Sequence, residues 1–247
     1  MLLKDKIALV TGSTNNIGLE IARAFAREGA RVVVHSRHAD EAGKIAAEIG
    51  GDSCAADLSR AEEIDKLFKH VEAKHRRLDL LVNTVAHSTK NGILEVSLEE
   101  WQQILALNLT AYFLCIQRAA RMMQKSGGAI INISAASGER GSPGTAVYSI
   151  SKGAINALTR QAAVDLAPHN IRVNGIIAGI IGTPLGRRDM GNRKTEYETI
   201  PLRRIGQPEE VAEAAVFLAS EKAAYITNAI LPVDGGRMNS MGSATRS

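Results

Sequence analysis

Five short runs of continuous apolar, mostly β-branched residues punctuate the chain: residues 6–11 (Lys-Ile-Ala-Leu-Val-Thr), 31–35 (Arg-Val-Val-Val-His), 79–82 (Asp-Leu-Leu-Val), 129–134 (Ala-Ile-Ile-Asn-Ile-Ser) and 171–177 (Ile-Arg-Val-Asn-Gly-Ile-Ile). Continuous rather than alternating apolar character predicts strands covered on both faces. Weaker runs at 52–56 and 229–233 would bring a sheet to about seven strands. Between the runs, residues 17–28, 40–49, 61–74 and 98–125 repeat their apolar positions at the helical period. Strands alternating with helices predict an α/β fold, a doubly wound parallel sheet with helices on both faces. The chain has 247 residues with no internal repeat and no mid-chain Pro/Gly/Ser linker, so residues 1–247 are expected to form a single domain. Residues 236–247 carry no apolar pattern and are expected to form a mobile tail.

Two helical stretches, 105–123 and 154–166, are apolar on more than one face. A helix with water on one side shows a polar stripe, so these point to a second copy of the chain, as a homodimer or homotetramer; deep burial within one chain gives the same pattern.

Composition narrows the class further. With 45% hydrophobic and 23% charged residues, the chain has enough apolar material for a sizeable core. Cys54 and Cys115 lie in apolar surroundings and read as buried free thiols of a reducing compartment. No apolar stretch reaches the ~18 residues of a membrane span, and no small-residue cleavage site follows the first apolar run. A cytoplasmic location is expected. The net charge is +4, but 30 basic residues are interspersed with 26 acidic ones and no Lys/Arg run exceeds two. That distribution argues against nucleic acid as a partner.

The first strand runs into Thr11-Gly12-Ser13-Thr14-Asn15-Asn16-Ile17-Gly18, after which a helix opens. Glycines here let backbone N–H groups and the helix N-terminus face a pyrophosphate, and Gly18 lets helix and strand pack closely. An ordinary strand-to-helix turn also favours glycine, so the motif gains weight from its place in the first β-α unit. Farther on, Tyr148-Ser-Ile-Ser-Lys152 lies on a helical segment where i and i+4 share a face. A free tyrosine has a pKa of ~10, and a neighbouring ammonium favours its phenolate, which suits acid/base work. Such a pair arises by accident in about one sequence of this kind in five, so the pair alone carries little.

Together, the glycine motif, Asn83, Asn108, the Ile-Asn-Ile-Ser strand, Tyr148/Lys152 and Thr183-Pro184 resemble the short-chain dehydrogenase/reductase family over residues 4–236. The resemblance implies a Rossmann-type fold and a nicotinamide cofactor. It implies Tyr148 as proton donor to a carbonyl, Lys152 as the group that tunes it and holds the nicotinamide ribose, and Asn108 as anchor of a water relay. It also implies cofactor contacts from Gly12, Ser13, Asn15, Asn16, Ile17, Gly18, Asp57, Leu58, Asn83, Gly179, Ile181 and Thr183, besides Tyr148 and Lys152.

Four positions depart from the family pattern. Asn16 replaces a glycine, which is tolerable because Asn visits left-handed backbone more readily than other non-glycine residues. Asn83-Thr84-Val85-Ala86 stands for Asn-Asn-Ala-Gly and crowds the adenine-ribose side, and Ala178-Gly179 stands for Pro-Gly. The fourth touches the chemistry: 13 residues before Tyr148, where the family places its carbonyl-binding serine, stands Ala135. If the strand stays extended, period-two alternation turns Ser137 to the same side as Ala135 and Ser134 away. Ser137 is then a candidate replacement, and a plain loop serine is the other reading.

At the end of the second strand, His35-Ser36-Arg37-His38 offers a hydroxyl and a guanidinium where an NAD site carries an acid. Ser36 and Arg37 therefore favour NADP (NADPH). The expected function is NADP(H)-dependent interconversion of a small-molecule carbonyl and a secondary alcohol. The pattern from Ile200 to Gly236 is most similar to the 3-oxoacyl-carrier-protein reductase branch. The polar stretch 183–199, with Arg187, Arg188, Arg193 and Lys194, reads as a substrate lid for an anionic substrate or as a solvated loop. A catalytically weak nucleotide-binding sensor or scaffold is the alternative, and no metal site is expected.

Overall fold

The computed structural model describes residues 1–183 and 200–238. The expected lid beyond Thr183 and the tail beyond Met238 lie outside the described residues. Seven strands, β1 (Ile7–Val10), β2 (Arg31–Ser36), β3 (Asp52–Ala55), β4 (Leu80–Asn83), β5 (Gly128–Ala135), β6 (Ile171–Ala178) and β7 (Ile230–Val233), pair in parallel in the order 3-2-1-4-5-6-7. All seven fall within about a residue of the expected runs. The helices are α1 (Asn16–Arg27), α2 (Ala39–Ile49), α3 (Ala61–His75), α4 (Leu98–Leu105), α5 (Ala111–Met123), α6 (Ser137–Arg140), α7 (Ala146–Leu166) and α8 (Pro208–Ala219).

The continuous apolar runs are explained by two cores, one on each face. Along β1, Ala8 and Val10 enter the core built with α1, α2 and α8, while Leu9 between them enters the core built with α3, α5 and α7. Val32 and Val34 against Val33 in β2, and Leu80 and Val82 against Leu81 in β4, divide in the same way. Each fully buried side chain of this kind contributes ~1.5–3 kcal/mol. No helix of the described residues is long and apolar enough to cross a membrane. Both cysteines are free; Cys115 is buried as expected, whereas Cys54 is only half-buried at the edge strand β3. Burial pushes the Cys115 thiol up to about 12, which makes it unreactive.

Two features differ from the expected elements. The 98–125 helix is broken by a π turn, Ala106–Thr110, between α4 and α5. Helix α8 has no counterpart in the sequence reading: residues 214–219 are continuously apolar, exposed Phe217 included, so the i, i+4 stripe it buries, Val211, Ala212, Ala215, Val216 and Ala219, does not stand out in the sequence.

The strand order reverses between β1 and β4, which extend to opposite sides of the sheet. At such a switch point the chain segments leaving the two strands diverge and open a crevice beyond their carboxyl ends.

Candidate active site

A cleft of about 1410 Å³ occupies that crevice. Its floor at one end is the glycine turn. Gly12 has φ +62°, and a Cβ there would lie 2.9 Å from Val85 Cγ2. A Cβ on Gly18 would lie 2.2 Å from the Gly12 carbonyl oxygen, so α1 reaches the strand end only because no side chain intervenes. Asn16 adopts φ +51°, the left-handed conformation expected of the residue standing in for a glycine. Asn15 caps α1 in extended geometry without a side-chain capping bond, its Oδ1 accepting instead from Asn16 Nδ2 at 2.9 Å, which leaves first-turn amides of α1 without a capping side chain. Unclaimed first-turn amides at the positive end of a helix dipole suit a phosphate.

A buried histidine holds this turn in place. His35 Nδ1 accepts from the Gly12 amide at 3.0 Å, and Nε2–H donates to the Ala56 carbonyl at 3.1 Å, an arrangement that needs the neutral ring. Burial lowers its pKa to about 4, against the opposing pull of the Ala56 carbonyl and Asp57. Ser13 closes the staple: its hydroxyl accepts from the His35 amide at 2.9 Å and donates to the Val10 carbonyl at 2.7 Å. Ser13 thus lies behind the turn and does not line the cleft.

The structure brings most of the expected cofactor residues onto the cleft wall: Gly12, Asn15, Asn16, Ile17, Gly18, Ser36, Arg37, Asp57, Leu58, Tyr148, Lys152, Gly179, Ile181 and Thr183. Asn83 is not among them. It is buried, and its amide donates to Asn132 Oδ1 at 2.9 Å; Asn132 in turn donates to Thr159 Oγ1 at 3.0 Å, a polar thread tying β4 and β5 to α7. The altered Thr84 donates to the Thr11 carbonyl at 2.5 Å and, with Val85 and Ala86, lines the cleft beside the glycine turn.

At the other end, α7 carries Tyr148 and Lys152 on one face. Lys152 is buried; its Nζ donates to the Ile133 carbonyl at 2.9 Å and lies 5.6 Å from the centre of the Tyr148 ring. Tyr112, which sequence reasoning missed, donates to the same carbonyl at 3.2 Å, with its ring centre 5.5 Å from Nζ. Burial drives the Tyr112 phenol well above 10, so it stays protonated. Burial also lowers the Lys152 ammonium to about 7.

That shift has a consequence for stability. The unfolded lysine keeps its proton up to ~10.5 while the folded one sheds it near 7, so the unfolded state binds more protons between those values. Stability therefore rises with pH across that window, and the penalty of burying the charge is fullest below pH 7. Lys152→Met should raise the melting temperature at pH 6, with the difference shrinking as pH approaches 10.5. Thermal melts across pH check this; a variant less stable than the wild type at every pH would show that the bond to Ile133 outweighs the burial.

Asn108 sits in the π turn, fully buried and behind the cleft. Its Oδ1 accepts from the His87 amide at 2.8 Å, and its Nδ2 donates to the His87 carbonyl at 2.9 Å and to Ser151 Oγ at 3.1 Å. Ser151 donates to the Tyr148 carbonyl at 2.7 Å. One side chain thereby locks the loop after β4 to the helix that bears Tyr148, and the extra residue of the π turn is what aims it there.

The geometry around the missing serine corrects one premise. Strand β5 ends at Ala135, and Ala136 has φ −58° and ψ −28°, so the chain turns helical before Ser137 and strand alternation does not reach it. Ser137 nevertheless lines the cleft beside Ala135, and its hydroxyl is buried without a hydrogen-bond partner. Ser134 also borders the cleft, but its hydroxyl is directed to the Ile176 carbonyl at 3.4 Å. Among the described residues no cluster fit to hold a metal ion occurs.

Residues 12–238 match the family model described as enoyl-(acyl carrier protein) reductase. The chain is 39% identical over 242 residues to a 3-oxoacyl-[acyl-carrier-protein] reductase of Synechocystis sp., covering 95% of this chain and 97% of that one. It is 36% identical to dehydrogenase/reductase SDR family member 4 of Homo sapiens, covering 95% and 88%. It is 35% identical to an NADP-dependent (R)-specific alcohol dehydrogenase of Lentilactobacillus kefiri, covering 95% and 97%.

Proposed function

The chain belongs to the short-chain dehydrogenase/reductase family of oxidoreductases, and from that premise we propose that it interconverts a small-molecule carbonyl and a secondary alcohol with NADP(H). The observation that carries this reading is the Tyr148–Lys152 pair, set on one face of α7 in a cleft whose far end is the glycine turn. The donor set fits a dinucleotide: α1 amides left uncapped by Asn15 for the pyrophosphate, Asp57 and Leu58 for the adenine, and Gly179, Ile181 and Thr183 for the nicotinamide end. When bound, the cofactor supplies the hydride. Tyr148 gives its phenolic proton to the carbonyl oxygen, a charged Lys152 favours the phenolate left behind, and Asn108 positions α7 for both.

NADPH is the preferred cofactor in this reading because Arg37 lines the cleft just past β2 and no acid stands on that strand end. Arg37→Ala should lose a charge-assisted contact of ~1.5–3 kcal/mol and narrow the preference by more than about tenfold. Titrating both cofactors against both proteins checks it, and equal wild-type affinities or an unchanged ratio would sink the assignment. Ala135 is the observation that favours a weak sensor or scaffold instead. Steady loss of absorbance at 340 nm with a panel of ketones separates the two, and no turnover on any of them would favour the sensor.

The chain acts in this reading as a single domain in the cytoplasm and as an oligomer of itself. Phe113 on α5 and Val164 on α7 remain 48% and 62% exposed, on the two helices whose apolar faces had no solvent stripe. Mass measurement at micromolar concentration tests the association, and a monomer removes it.

A further inference from the structure

The first turn of α2 brings a carboxylate to the place where the reading above puts the 2′-phosphate of NADPH. Glu41 Oε2 accepts from the Ser36 hydroxyl at 3.2 Å and from the Thr14 hydroxyl at 3.4 Å, and all three residues line the cleft together with Arg37. Ser36 Oγ itself accepts from the His38 amide at 3.2 Å. A hydroxyl has one proton to give, so Ser36 can serve a phosphate oxygen only by leaving Glu41. A second acid lies close by: Asp57 is held below the usual carboxylate range first by its bonds from the Ser59 amide and hydroxyl, and in addition by the Arg37 and Arg60 charges. Two carboxylates and one guanidinium therefore share this end of the cleft.

We propose that Glu41 is a cofactor-specificity residue that holds the preference for NADPH over NADH below the level Arg37 alone would set. A 2′-phosphate brings only acceptors and negative charge to a carboxylate that already occupies the Ser36 and Thr14 hydroxyls. The 2′-hydroxyl of NADH brings a proton that the same carboxylate can accept. Glu41 thus repels one cofactor and serves the other. The inference rests on the assignment of this end of the cleft to the 2′ position of the cofactor.

The test is the ratio of dissociation constants for NADH and NADPH, read from dihydronicotinamide fluorescence for the wild type, Glu41→Gln, Glu41→Ala and Arg37→Ala. Glutamine keeps the length, removes the charge and adds an amide donor, so Glu41→Gln should raise the NADH/NADPH ratio about tenfold. Glu41→Ala should move it in the same direction by a smaller factor, and it decides the matter if the glutamine variant does not fold. A ratio that is unchanged or falls overturns the proposal and reduces Glu41 to an acid placed at a helix N-terminus. Arg37→Ala reports separately on the phosphate assignment: unchanged NADPH binding there removes that assignment, while the ratio in the Glu41 variants still decides the role of Glu41.

Discussion

Tyr148→Phe is expected to lower kcat for carbonyl reduction by ~10²- to 10⁴-fold while leaving NADPH affinity within a few-fold of the wild type. The substitution removes one oxygen and keeps the half-buried ring, so the packing of α7 and the Lys152 bond to the Ile133 carbonyl survive. What is lost, in the proposed mechanism, is the proton that the product oxygen must receive. Absorbance at 340 nm gives kcat on any ketone the wild type turns over, and nicotinamide fluorescence gives the affinity. Turnover at the wild-type rate would mean that another group supplies the proton. His87 lines the cleft and would be the first to examine. A large loss of affinity as well would mean that the hydroxyl holds the cofactor rather than the substrate.

The parts of this molecule that repeat a physical rule over several residues were legible in the sequence. Five strands buried on both faces announce themselves as apolar runs because neither face needs a polar residue, whereas the edge strands β3 and β7, only partly buried, leave weaker runs. Asn16 could be placed in left-handed backbone because few side chains tolerate it, and the turn leaves no other choice. The π turn at Ala106–Thr110 was hidden because one extra residue does not disturb the helical period enough to read, and the contact it serves, Asn108 on the His87 backbone, lies 21 residues away in the chain. Tyr112, His35 and Glu41 escaped for a related reason: each acts on the site through a partner from another element, Ile133, Gly12 and Ser36 respectively. Ser13 and Asn83 show the reverse. Their positions match a pattern of cofactor residues, yet their polar atoms are committed to the backbone of β1 and to Asn132.

Ser137→Ala should cost ~10- to 1000-fold in kcat/KM and at the same time stabilise the fold by ~1 kcal/mol. Both effects come from one feature. A buried hydroxyl without a partner is a standing penalty in the free protein, and a donor in that condition beside the cleft has no other bond to break when its side chain rotates toward an oxyanion. Ser134 cannot do the same, since its hydroxyl is directed to the Ile176 carbonyl. Adding a hydroxyl by Ala135→Ser should then change kcat/KM little, because the donor position is already served. If Ser137 is only a cleft-lining residue, the pattern inverts: Ser137→Ala is silent in kcat/KM, and Ala135→Ser raises activity toward simple ketones, because β5 ends with that side chain at the cleft. Both variants measured on one ketone, with urea melts beside them, separate the cases. A silent Ser137→Ala with an activated Ala135→Ser would return the carbonyl-binding role to position 135 and leave the wild-type enzyme with Tyr148 as its sole donor to the reacting oxygen.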